Sequence, residues 1–131
     1  MIRRRILPIL IATLLLSAVF TLAYYSTNKT DSICHTLSAI AEDCKSSCIS
    51  GAYTEAGKDL SAFKEIWDTH RLFFAATQSH DDIDEINTAL RASSIQIANE
   101  CIDEMYAELA VIADTLEKMR EIQHCSLENI L

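Results

Sequence analysis

The stretch Ile6-Leu-Pro-Ile-Leu-Ile-Ala-Thr-Leu-Leu-Leu-Ser-Ala-Val-Phe-Thr-Leu-Ala-Tyr-Tyr25 runs twenty residues without a charge. As a helix rising about 1.5 Å per residue it spans about 30 Å, the hydrocarbon thickness of a bilayer. Pro8 falls in the first turn, where a missing N–H costs little. Tyr24 and Tyr25 close the run where an interfacial aromatic belt belongs. The competing interpretation is a cleaved signal peptide. Its apolar core would be shorter, about 7–15 residues, and would lead to a small-x-small site. The best such site, Thr21-Leu22-Ala23, is followed by two tyrosines and is poor. A buried helix of a soluble protein seldom carries so long an uncharged run. An uncleaved anchor is the expectation.

Charge sets the expected orientation. Arg3, Arg4 and Arg5 precede the run, and the next charged residue is Lys29. Basic residues favour the cytoplasmic side. The chain therefore divides into a cytoplasmic basic start at 1–5, a transmembrane anchor at 6–25 and an extracytoplasmic domain at 26–131. The 131 residues have a formal net charge of -8. That average conceals a contrast. All nineteen acids and eight of the eleven bases lie beyond residue 25, so the charge there is -11 against +3 at the start. An acidic domain lacks the basic footprint that nucleic-acid binding needs.

Two glycines and one proline in the whole chain cannot furnish the turns of a sandwich, a barrel or a doubly wound sheet. They also exclude a Gly-rich phosphate loop. The expected class is all-α: the N-terminal transmembrane helix followed by two antiparallel helix hairpins, as a four-helix bundle or a short solenoid-like pair. Asp31-Ser32 is expected to cap a helix with the stripe Ile33, Leu37, Ile40, Ala41, Cys44 and Cys48, though nothing at 24–31 forbids continuation of the membrane helix. Ser50-Gly51 ends it. A second helix from about 52 to 76 carries Tyr53, Ala56, Leu60, Phe63, Trp67, His70 and Phe74. Asp81 or Asp82 is expected to cap a third, with Ile83, Ile86, Leu90 and Ile97. A break near Ala98-Asn99-Glu100, with Asn99 as a cap, starts a fourth with Ile102, Met105, Leu109, Ile112, Leu116 and Met119. The apolar tail at 126–131 is expected to fold back onto the bundle. A shift of 49 residues aligns the two hairpins: Leu37 meets Ile86, Ala41 meets Leu90, Cys48 meets Ile97, Tyr53 meets Ile102, Leu60 meets Leu109, Phe63 meets Ile112, and Trp67 meets Leu116.

These residues carry a family likeness. An Arg-rich start precedes one apolar span, and Gly51-Ala-Tyr-Thr-Glu-Ala56 opens a helix that reaches Trp67. His80 comes three residues before Ile83, and the chain ends Leu127-Glu-Asn-Ile-Leu131. Together they resemble a family of small, uncharacterised bacterial membrane-anchored helical proteins, a domain-of-unknown-function family. The resemblance implies an anchored extracytoplasmic helical module and no assigned activity. Tyr53-Thr-Glu-Ala56 also looks like the second helix of a tetratricopeptide repeat, without the closing proline of that pattern.

Candidate chemistry is sparse. Five cysteines, Cys34, Cys44, Cys48, Cys101 and Cys125, all follow the anchor. Three interpretations stand. Cys44-x3-Cys48 on one helix is a poor zinc signature. Disulfides suit an oxidising compartment, with Cys101 or Cys125 able to reach the first hairpin. Small core hydrophobes suit the stripe they sit in. An odd count leaves one thiol free or paired between chains. His124 adjoins Cys125, but no oxyanion hole or nucleophile turn accompanies them. His35 carries no signal, and His70 reads as a core-edge residue. His80 with Asp81, Asp82, Asp84 and Glu85 reads as a solvated helix start, lacking the glycine turn of a calcium loop. Glu100, Glu104 and Glu108, beside Asp103, recur every four residues as a negative ridge. It is either a face for a basic partner or an ordinary solvated surface.

No catalytic, metal-binding or cofactor-binding residue is expected, and no cofactor. The expected function is a non-enzymatic, membrane-anchored protein-interaction module, whose partner is an integral membrane protein or another copy of itself. The alternative is a small-ligand or cation sensing module that signals through a membrane partner.

Overall fold

A computed structural model describes residues 2–130 as five helices. These are α1 (Ile2–Ile49), α2 (Tyr53–Thr69), α3 (Arg71–Thr77), α4 (His80–Ala98) and α5 (Ile102–Ile130). The all-α class holds. α1 is one helix of 48 residues, about 72 Å long at 1.5 Å per residue. Its first half is bare: Leu7, Leu10, Leu14, Leu15, Leu16 and Leu22 are all exposed. Its second half enters a bundle. Burial begins at Thr27 and Thr30 and continues through Ile33, Cys34, Leu37, Ala41, Cys44 and Cys48.

The expected cap at Asp31-Ser32 does not form, because no break in the helix precedes it. The carbonyls of the turn before are already helical, and a cap needs non-helical backbone. The Asp31 carboxylate turns to α5 instead. Arg120 donates to it through Nε at 3.3 Å, and His124 Nε2 lies 2.8 Å from its other oxygen.

α1 packs on α2 and on α5, α5 on α4, and α4 more loosely on α2. Contact between the first and last helices closes the ring, which makes the arrangement a four-helix bundle with α3 as a short extension of α2. The core holds the stripes read from the sequence. Phe63, Trp67 and Phe74 from one hairpin meet Ile86, Met105, Ile112, Leu116 and Met119 from the other.

The expected single helix from 52 to 76 is broken at His70 (φ -99°, ψ 14°). Residues seven apart in a straight helix stand about 10.5 Å apart along the axis. The break and the lean of the side chains bring the Trp67 and Phe74 rings to 4.8 Å, stacked at 24°. Such a pair adds about 0.5–1.5 kcal/mol beyond its area burial.

The cap of α4 is Ser79, not Asp81 or Asp82: the Asp82 N–H donates to the Ser79 hydroxyl at 3.2 Å. Asp82 is drawn inward, 2% exposed, and accepts from Lys118 Nζ at 2.8 Å. Nor does Asn99 cap α5, since it is the last residue of the α4 turn. The C-terminal tail continues α5 through Ile130 rather than folding back. Leu131 lies outside the described residues.

The 49-residue register has a structural counterpart. After α1, the Ala52 N–H donates to Ser47 O and the Gly51 N–H to Cys48 O. After α4, the Cys101 N–H donates to Gln96 O and the Glu100 N–H to Ile97 O. Both are Schellman turns, offset by 49 positions. The left-handed position is Gly51 (φ 79°) in one and Glu100 (φ 56°) in the other. Only glycine takes that conformation without steric cost, about 1 kcal/mol for other residues. Replacing Glu100 with glycine should therefore raise stability by about 1 kcal/mol, read as a higher urea midpoint with unchanged slope. Gly51→Ala should lower it by a similar amount, because its added Cβ meets nothing within 4 Å and the backbone angle alone decides.

Candidate functional site

The acidic ridge is not a ridge. Glu100 sits in the α4–α5 turn, outside the helix that carries Glu104 and Glu108, so the four-residue periodicity ends at Glu104. Glu104 is exposed and Glu108 half-buried. Glu108 instead joins Asp81, Asp84 and Glu85 around a shallow depression between α4 and α5. Asp82, withdrawn to Lys118, is missing from the acidic set at the α4 start. Among the described residues no group of three or more His, Cys, Asp or Glu is placed to hold a metal ion.

All five cysteines are free thiols. Cys34, Cys44 and Cys48 are core residues of α1, Cys101 is half-buried in the second turn, and Cys125 is exposed on α5. The Cys44 thiol donates to Ala56 O at 3.4 Å, and Cys48 packs its sulfur on Met105. Burial pushes the Cys34 and Cys44 thiols from 9.0 up to about 12, and raises Cys48 as well. Between about pH 9 and pH 12 the unfolded chain thus holds fewer protons than the folded one, and stability falls as pH rises. Thermal unfolding at pH 8 and pH 10.5 should show this fall, reduced in Cys44→Ala. At pH 8, iodoacetamide should modify Cys125 first and spare the three core thiols until the chain unfolds.

At the end of the bundle nearest the apolar run, Lys29 lies 4.6 Å from the Phe73 ring centre and 5.8 Å from that of Tyr25. Ser26 meets Gln123, which also donates to Thr77 O at 3.3 Å. These contacts tie α1, α3 and α5 together where the apolar run ends. His70 and Ile66 form one side of an open depression there, and Tyr24, Tyr25, Asn28 and Ser32 of α1 form the other.

The family enters at this boundary. The model of DUF4363, a domain of unknown function, matches residues 24–130. The chain belongs to the DUF4363 family. No curated protein and no solved structure matches the chain. The DUF4363 match begins where the bare apolar half of α1 ends and takes in the whole bundle. The preceding part of α1 is long and apolar enough to cross a membrane or to serve as a signal anchor.

One further feature of the DUF4363 bundle arises only from how its helices dock. Among the four bundle helices, α2 and α4 are the neighbours in loosest contact, and a groove of about 610 Å³ opens between them. Leu60, Trp67 and Leu90 form its floor, and Gly57, Lys64 and Arg91 stand among its wall residues. The indole N–H of Trp67 donates to Asn87 Oδ1 at 2.9 Å. The available signal was Gly57, an isolated glycine inside a helical pattern, followed by Ser61 and Lys64 on the same face.

Proposed function

We propose that this chain is a single-pass bacterial membrane protein, whose helical domain lies outside the cytoplasm and binds another protein at the membrane surface. It has no catalytic activity in this reading, and its partner is an integral membrane protein or a second copy. The observation that carries the proposal is the unbroken α1, which runs from the apolar segment into the bundle core. A bundle so joined is held against the membrane in one orientation, which suits contact with a neighbour in the same bilayer. Thr13, Ser17 and Thr21 lie four apart on the apolar half, and each hydroxyl donates to the carbonyl four residues back. Small residues with internally satisfied hydroxyls let a second helix approach closely. The first hairpin, with its tetratricopeptide-like Tyr53-Thr-Glu-Ala56, is one face such a partner could use.

Photocrosslinking in cells from exposed positions of residues 26–131, followed by mass spectrometry, tests this. A reproducible protein adduct supports it, and lipid adducts alone overturn it. A second reading, small-ligand or cation sensing through a membrane partner, is favoured by the α2–α4 groove. Thermal shift against divalent cations and small metabolites tests it, and no shift for any compound counts against it.

A further inference from the structure

We propose that the groove between α2 and α4 binds a compact organic anion, an apolar aryl or alkyl body carrying one carboxylate. This rests on the ligand reading just given and adds the chemical class. Three observations converge.

The groove is of ligand size and has an apolar floor. Its 610 Å³ falls within the usual range of about 300–1,000 Å³ for small-molecule sites. Trp67 and Leu60 are buried at its base, 3% and 7% exposed. Asn87 Oδ1 already takes the indole N–H, so Trp67 itself presents no free donor to the groove.

Small side chains keep the groove open. Gly57 and Ser61 come from α2 and Ser94 from α4. A Cβ added at Gly57 would meet nothing within 4 Å. Packing does not require glycine there, so the space itself is the feature to explain.

The third observation is the placement of charge. Beyond residue 25 the domain has eight bases. Lys45, Lys58, Lys118 and Arg120 pair with carboxylates, and Lys29 lies on aromatic rings. Lys64, Arg71 and Arg91 form no ion pair among the described residues; Arg71 stands at the start of α3, away from the groove, whereas Lys64 and Arg91, one from each wall, both line it. Asp68 also lines it, leaving a local excess of one positive charge. That balance fits a monoanion better than a multiply charged ligand. The surrounding acidity repels anions at range, so recognition here depends on short charge-assisted hydrogen bonds.

The test uses the full chain in lipid nanodiscs and isothermal titration with naphthoate, naphthalenemethanol and naphthylmethylamine. Empty nanodiscs correct for partition into lipid. Naphthoate should bind and the neutral and cationic analogues should bind far more weakly. Lys64→Gln combined with Arg91→Gln should weaken naphthoate on the order of tenfold or more. Gly57→Leu fills the groove and favours the helix, so it should abolish binding while raising the melting temperature. The inference is overturned if naphthoate gives no heat beyond empty nanodiscs. It is equally overturned if the alcohol binds as tightly, if the double variant is unaffected, or if Gly57→Leu still binds. Binding of the alcohol or amine without naphthoate overturns the anion and leaves the ligand reading standing. No binding by any of the three overturns the anion, and the wider screen then judges the ligand reading.

Discussion

Arginine at both Leu15 and Leu16 should move the protein from the membrane pellet to the soluble fraction. Both leucines lie near the middle of the uncharged run, on the bare half of α1, and they are 62% and 57% exposed. On the biological insertion scale an arginine at a helix centre costs about 2.5–3.5 kcal/mol. Two together cost about 6 kcal/mol, a shift on the order of ten-thousand-fold in the insertion equilibrium. The bundle should be untouched, so circular dichroism of the soluble variant should keep the melting transition of the parent. Alkaline carbonate extraction reads the result. A doubly substituted chain that stays in the carbonate-resistant pellet would show that something other than α1 holds it there. Sequencing the mature N-terminus of the parent separates anchor from signal peptide: a chain starting near Tyr24 overturns the uncleaved anchor.

Truncating Phe63 to alanine should remove a large share of the domain's stability. Phe63 is 1% exposed and central to the core cluster. A Phe→Ala change at such a site costs about 3–5 kcal/mol, the transfer term plus the cavity left behind. Domains of this size are stable by about 5–15 kcal/mol in total. The melting temperature should fall by roughly 15–30 °C. Leu72→Ala is the matched control: Leu72 is 86% exposed, and its loss should leave the transition in place. An equal fall in both variants would contradict the burial pattern on which the bundle rests.

Much of this core was legible because helix burial is periodic and local. Leu37, Ala41, Cys48, Leu60, Phe63 and Trp67 are buried, and so is each residue 49 positions later. The first turn was legible because Gly51 marks it. The second, around Glu100, was legible only as a break between stripes, since glutamate gives no sign of a left-handed angle. The acidic residues depart from their expected places for a consistent reason. Asp31 and Asp82 have the local preferences of helix caps, but their partners Arg120 and Lys118 lie 89 and 36 positions away. Capping propensity is visible within four residues, whereas an ion pair between helices depends on how they dock. The loose α2–α4 contact was hidden for the same reason. Each helix shows its apolar stripe, and neither shows how tightly its neighbour will close on it.

The unbroken α1 also fixes a phase. Without a joint between the apolar segment and the bundle, the bearing of the bundle about that segment is set by counting residues. One alanine inserted near Ser26 would swing the whole bundle by about 100° about the helix axis and lift it by about 1.5 Å. Four would return it to within about 40° of its original bearing, one turn farther from the apolar segment. Under the proposed function, a surface that meets a partner in the same bilayer would then come and go with the helical repeat, as the teeth of a gear engage only at certain angles.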